Sequence, residues 1–174
     1  VRRHHTGTYQ HSLITMGVAA VFAGALGFDE AERTSAAVAG LVHDLGKVWV
    51  PEHILGKPGP LTPEEFEVVR RHSRDGWQAL RPADPSLETS VLDAVLHHHE
   101  FLDGSGYPDG LTAERIPTLT RMITIADICA ALAETRSYRA ALKPFAIRMI
   151  LDTHAARGRI DRRLWAAFPL AEMG

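Results

Sequence analysis

Apolar residues recur along this chain at helical spacing and rarely alternate with polar ones. Leu13, Met16, Ala20, Ala23 and Leu26 are three or four positions apart, the interval that lines one face of a helix. The period-two pattern of strands is scarce, so an all-α fold is predicted. Local start and stop residues divide it. Asp29 followed by Glu32 gives the Asp-x-x-Glu arrangement that satisfies free amides at a helix start. The helix so opened carries Val38, Leu41 and Val42 inward and ends at Gly46, with His43 and Asp44 in its last turn. A loop follows through Pro51, Gly56, Pro58, Gly59 and Pro60. Thr62, Pro63 and Glu65 then supply cap, first-turn proline and reciprocal carboxylate for a helix from Pro63 to Leu80 that holds His72. A further helix, Leu87 to Glu100, ends in His97, His98 and His99. Beyond the Gly-rich loop from Asp103 to Gly110, a helix from Ile116 to Glu134 carries Asp127, and shorter helices start at Pro144 and near Asp161. No repeat or linker interrupts the pattern, so residues 1–174 are expected to form one compact bundle of about seven helices.

Composition narrows the function. The 174 residues are 45% hydrophobic and 23% charged, which suits one globular domain and not a disordered chain. Nineteen Lys and Arg against 21 Asp and Glu leave a net charge of -2, so no overall field holds a nucleic acid polymer or an anionic membrane. Any anionic ligand must be caught by a local cluster. The longest apolar stretch, Met16 to Phe28, is too short for a bilayer, and no signal segment precedes it. Cys129, the single cysteine, has no intramolecular partner for a disulfide; it is expected to pack as a small buried hydrophobe, and the cytoplasm is the expected compartment. The sequence opens at Val1 without a Met, which reads as a piece excised from a longer regulatory protein with an upstream sensory domain.

Ten histidines are the outstanding feature of the composition. Neighbours on a helix point about 100° apart, so His43 and Asp44 converge on one point only if something large and charged lies near the helix end. A metal ion meets that description, and a capping or hydrogen-bonded pair is the plainer alternative. What favours metal is accumulation. His11, His72, the adjacent pair His98 and His99, and Asp127 fall on four separate predicted helices or helix ends, as ligands converging from a bundle would. Five histidines and two carboxylates are enough for two ions about 3.5–4 Å apart, the arrangement that activates a water and clamps a phosphoryl group. Hydrolysis of a phosphoester is the chemistry this predicts. Arg136 and Arg139, three apart on one helical face, read either as a phosphate clamp or as a solvated face. His53 and His154 read as structural.

His43-Asp44-Leu-Gly-Lys47 resembles the HD-x-G-K signature of the HD phosphohydrolase superfamily. His98-His99-Glu100-Phe-Leu-Asp103-Gly104-Ser-Gly106-Tyr107-Pro108 resembles the HHE-x-x-DG-x-GYP signature of its HD-GYP branch. The similarity covers nearly the whole chain, including the Val50-Pro51 loop, Lys57-Pro-Gly-x-Leu-Thr, Ile125-Ala-Asp127 and Arg136-x-Tyr138-Arg139. The resemblance implies a metal-dependent phosphodiesterase that hydrolyses cyclic di-GMP to linear pGpG or onward to GMP. It also implies one ion held by His11, His43, Asp44 and Asp127 and a second by Asp44, His72, His98 and His99, with Asp44 shared. A hydroxide between the ions would attack phosphorus in line. Lys47 would bind phosphate or orient that hydroxide, Tyr107 would meet the substrate, and Arg136 and Arg139 would hold a phosphate. Iron or manganese is the expected metal, with nickel, cobalt and zinc compatible with the same donors.

The sequence departs from the family at several points. Some members place a glutamate four residues before the first metal histidine and hold a third ion; Gly7 stands there in this chain, which favours two ions. Cys129 and Ala130 replace a common tyrosine and aspartate, and Ser137 replaces the proline of Arg-Pro-Tyr-Arg. These changes leave the implied ligands in place and bear on the base pockets, hence on the choice between cyclic di-GMP and a related cyclic dinucleotide. His97 is turned away from His98 and is expected outside the ligand set. The alternative function is a silent signalling module that binds nucleotide or docks a diguanylate cyclase.

Overall fold

The structure is a computed structural model that describes residues 3–135 and 140–170, with side chains from residue 7 onward. All regular structure among these residues is helical. Helix α1 spans Arg3–Ala25 and α2 spans Glu30–Val42, followed by a short 3-10 turn, η1, at Leu45–Trp49 and a single turn α3 at Glu52–Leu55. Then come α4 (Pro63–Arg70), α5 (His72–Ala83), α6 (Thr89–His97), a 3-10 turn η2 (Ala113–Arg115), α7 (Thr118–Ala133), α8 (Pro144–Ala156) and α9 (Arg162–Ala166).

Several ends form as the sequence dictates. Asp29 caps α2 through the Glu32 amide while the Glu32 carboxylate returns to the Asp29 amide, and Thr62 and Glu65 do the same for α4. Asp161 accepts from the amides of Arg163 and Leu164 at the head of α9.

The predicted Pro63 to Leu80 helix is instead two helices. At the junction the His72 Nδ1 and the Ser73 hydroxyl take up the carbonyls of Val69 and Arg70, which a continuous helix would give to its own backbone amides. The end of α2 also differs. The α-helix stops at Val42 with His43 as its C-cap, and Asp44 sits at φ -98 and ψ 8 before the tighter η1. Gly46 explains why a helix cannot simply run on there: a Cβ at that position would lie 1.8 Å from the His72 carbonyl oxygen, so only glycine admits α5.

The buried stripes are not quite those of the apolar pattern. On α1, His11, Thr15, Ala19 and Phe22 face inward while Leu13 is exposed. On α2 the small residues Ala36, Ala39 and Gly40 are buried, which lets α1 approach closely, and Leu41 turns outward. The core is built on α7, whose Met122, Ile123, Ile125, Ala126, Cys129 and Ala130 are all fully enclosed, with Phe22, Val91, Ile147 and Leu151 packed around it. A centrally buried α7 is what carries Asp127 into the middle of the bundle.

Candidate metal centre

Seven polar side chains meet where α1, the α2–η1 corner, α5, the end of α6 and α7 converge. Their ligand atoms form two groups, each within 4.8 Å: Asp44, His72, His98 and His99 in one, and His11, His43 and Asp127 in the other. Asp44 touches both. Its Oδ1 lies 3.3 Å from His72 Nε2 and 3.9 Å from His98 Nε2, and its Oδ2 lies 3.4 Å from His43 Nε2 and 3.7 Å from His11 Nε2. In the second group His11 Nε2 is 2.9 Å and His43 Nε2 3.7 Å from Asp127 Oδ1. The ring of His99 closes the cluster, with Nδ1 3.9 Å from Asp127 Oδ2.

The backbone fixes how these rings point. His43, His72 and His98 each donate Nδ1–H to the carbonyl three residues earlier, those of Gly40, Val69 and Val95, at 2.8, 2.6 and 2.9 Å. In its neutral form, the form that binds a metal, such a ring presents a bare Nε2 lone pair to the centre. His72 Nε2 and His98 Nε2 face one another at 3.3 Å, so two lone pairs oppose across the gap, with Asp44 Oδ1 beside them. His43 Nε2 and Asp44 Oδ1 are buried without a hydrogen-bond partner. Converging acceptors of this kind repel unless a cation lies among them, and imidazole with carboxylate is a donor set for first-row transition metals. The residues therefore fit a divalent metal site, and the second group offers similar donors beside it.

The carboxylates and the histidines of the centre shift one another in opposite directions. Burial would raise the Asp44 carboxyl, but the Lys47 ammonium and His43 hold it well below the ordinary range; Lys47 Nζ donates directly to Asp44 Oδ2. Burial would likewise raise Asp127, and the His11 and His43 contacts hold it well below. His43 and His11 are pulled down by burial yet raised by the carboxylates around them, His43 to about 10. His98 and His99 are held down, first by burial and then by neighbouring histidines.

The glycine-rich loop stands over the centre. Glu100, buried, accepts from the backbone amides of Asp109, Gly110 and Leu111 at 2.6, 3.0 and 3.0 Å, and the Tyr107 amide donates to the His99 carbonyl at 3.2 Å. Gly106 lies so close to the Glu100 backbone that a Cβ would come within 2.4 Å. The Tyr107–Pro108 peptide is cis. The Tyr107 ring sits on His99, with centroids 4.7 Å apart, and burial beside Asp127 and Asp44 pushes its phenol above the ordinary value.

All seven side chains nominated from the sequence, together with Lys47 and Tyr107, thus lie in or against one site. Arg136 and Arg139 lie outside the described residues. His97 stays out of the cluster and meets Asp109 of the loop at 3.1 Å. Gly7 is exposed with open space around it. Sequence reasoning missed Glu134, whose Oε1 accepts from His11 Nδ1 at 3.1 Å, and Arg70, whose guanidinium carbon is 4.8 Å from the Tyr107 ring centroid. Neither belongs to a motif; Glu134 reads as a helix end and Arg70 as one charge among several on α4.

A helical bundle gathering these donors defines the class, and the chain belongs to the HD domain family, whose model matches residues 2–164. Over 162 residues the chain is 38% identical to a Pseudomonas aeruginosa protein named as a cyclic di-GMP phosphodiesterase, covering 92% of this chain and 38% of that protein. It is 35% identical over 158 residues to a Vibrio cholerae protein named as a 3'3'-cGAMP-specific phosphodiesterase, covering 91% of this chain and 36% of that one. The chain thus spans well under half the length of these curated relatives. Among solved structures, an HDG"Y"P protein from Bdellovibrio bacteriovorus shares the fold at a TM-score of 0.75 and 18% identity, covering 95% of this chain and 52% of that one. No described helix is long and apolar enough to cross a membrane.

Proposed function

We propose that this chain is a metal-dependent phosphodiesterase that hydrolyses cyclic di-GMP to pGpG, GMP or both, working in the cytoplasm as one domain of a longer regulated protein. The observation that carries the reading is the pair of ligand groups sharing Asp44 beneath the Tyr107 loop. His11, His43, Asp44 and Asp127 would hold one ion, and Asp44, His72, His98 and His99 the other, with iron or manganese the first choice. Two such ions, when bound, would supply Lewis-acid polarisation of a phosphoryl group and a water activated at neutral pH.

The chain's own residues do the rest. Asp44 stays ionised because Lys47 and His43 hold its carboxyl low, so it is available as a shared anionic ligand. The ammonium of Lys47 donates to Asp44 and has further hydrogens for a phosphate oxygen. Tyr107 lies across the entrance with its phenol protonated, able to donate to substrate. Arg136 and Arg139 are assigned to a substrate phosphate on their residue type, since a guanidinium can pair two N–H donors with phosphate oxygens. The names of the relatives support a cyclic dinucleotide as substrate, and the Vibrio relative brings 3'3'-cGAMP in as a second candidate. A diguanylate cyclase is the partner proposed for the outer face of the Tyr107 loop.

The test is product formation from cyclic di-GMP and 3'3'-cGAMP by chain prepared without oxygen and loaded with iron(II) or manganese(II), beside Asp44→Ala. Metal-dependent cleavage that the variant loses is expected. No cleavage by protein holding two ions per chain would move the assignment to a binding or docking module.

A further inference from the structure

The mouth of the centre carries side chains that hydrolysis itself does not use. Phe66 and Arg70 lie four apart on α4 and so share a face. The Phe66 ring meets Tyr107 edge to face, centroids 6.0 Å apart at 83°. The Arg70 guanidinium carbon lies 4.8 Å from the Tyr107 centroid and 5.9 Å from that of Phe66. Its carboxylate neighbour is Glu67 at 3.3 Å, an exposed pair that binds weakly and leaves most of the guanidinium donors uncommitted. Phe66 is 45% exposed, a large apolar ring left open to solvent beside a polar site. A ladder therefore runs outward from the metal-facing ring of His99 to Tyr107, and from Tyr107 to Phe66 and Arg70. Two ring steps separate Phe66 from the centre, which leaves room for a ribose between a phosphate held there and its base.

We propose that Phe66 and Arg70 form a nucleobase platform that selects guanine over adenine in the substrate, an inference that rests on the cyclic-dinucleotide reading above. Stacking on Phe66 accepts any base, because every base has a π face. Selection comes from Arg70. Its planar fork matches the paired acceptors O6 and N7 of guanine, whereas adenine puts an amino donor against it. Phe66 thus sets affinity and Arg70 sets specificity.

The experiment titrates GMP and AMP into the manganese-loaded full chain; neither is a diester, so binding is read without turnover. Wild type is expected to bind GMP about tenfold more tightly than AMP. Arg70→Ala should bring GMP down to the AMP value, and Arg70→Lys should not restore the preference, because a point charge lacks the fork. Phe66→Ala should weaken both nucleotides by a similar factor. The GMP-to-AMP ratio is the deciding readout, since a loosened fold lowers both affinities together and leaves the ratio alone. Equal binding by wild type, or a preference that survives in Arg70→Ala and Arg70→Lys, overturns the platform. Cyclic di-GMP hydrolysis by wild type, measured in parallel, tests the enzyme reading separately: preference without turnover keeps the platform and removes the activity, and turnover without preference does the opposite.

Discussion

Four histidines of the centre, His11, His43, His72 and His98, are held at the far nitrogen as well as presented at the near one. For His43, His72 and His98 the holder is a carbonyl three residues back, so the helix that delivers the ring also fixes its tautomer. His11 lacks that local partner and is held by Glu134, 123 residues away in sequence. A carboxylate there does more than orient the ring, because it raises the basicity of the imidazole toward a metal. Glu134→Ala should weaken metal binding by the group that contains His11 by about tenfold or more, and Glu134→Gln, which keeps an acceptor oxygen without the charge, should fall between. Competition with a chelating indicator measures this; wild-type metal affinity in Glu134→Ala would remove the role. The contrast also shows what a sequence can disclose about such a site. Ligand types and their adjacency in motifs were readable, and so is any partner a fixed few residues away on one helix. Glu134 and Arg70 depend on how α1, α4, α7 and the loop pack, which no local pattern encodes.

At the scale of elements, the Tyr107 loop owes its shape to one buried carboxylate. Glu100 takes three consecutive loop amides, of which that of Leu111 is itself buried and has no water to fall back on. Glu100→Ala is expected to lower the thermal midpoint by roughly 5–10 °C, given hydrogen bonds to a charged group and a domain of this size. Metal stoichiometry should be retained while KM for the proposed substrate, cyclic di-GMP, rises, because Tyr107 loses its seat over His99. A midpoint within a degree of wild type, read by calorimetry, would mean that the loop holds itself. The helices were largely legible because their caps are local: Asp29 with Glu32 and Thr62 with Glu65 act within a single turn. The break at Arg71 and the early end of α2 were not. Both arise where site histidines and a glycine contact meet between α5 and η1, so function and packing override a continuous helical pattern there.

For the whole molecule, the centre couples protonation to stability. In metal-free protein the carboxylates raise His43 to about 10 from an ordinary 6.5, burial notwithstanding, and raise His11 as well. A raised histidine contributes stability that is full below 6.5 and is lost as pH climbs through the folded value. His98 and His99 are held down by burial, so below 6.5 the unfolded chain binds protons that the folded chain refuses, and stability falls as pH drops. Asp44 and Asp127, held well below 3.8, add to the loss in stronger acid. The metal-free midpoint should therefore peak near the ordinary histidine value and decline on both sides. Metal reverses the alkaline limb. Ligand histidines must be neutral to bind, so an ion displaces the proton from His43 and binds more tightly as pH rises. At a concentration about a hundred times its Kd an ion adds ~2.7 kcal/mol, roughly 5–10 °C of midpoint. Melts from about pH 5 to 9 with chelator and with manganese should show curves that diverge toward high pH. Parallel curves would mean that His43 carries no proton for the metal to displace.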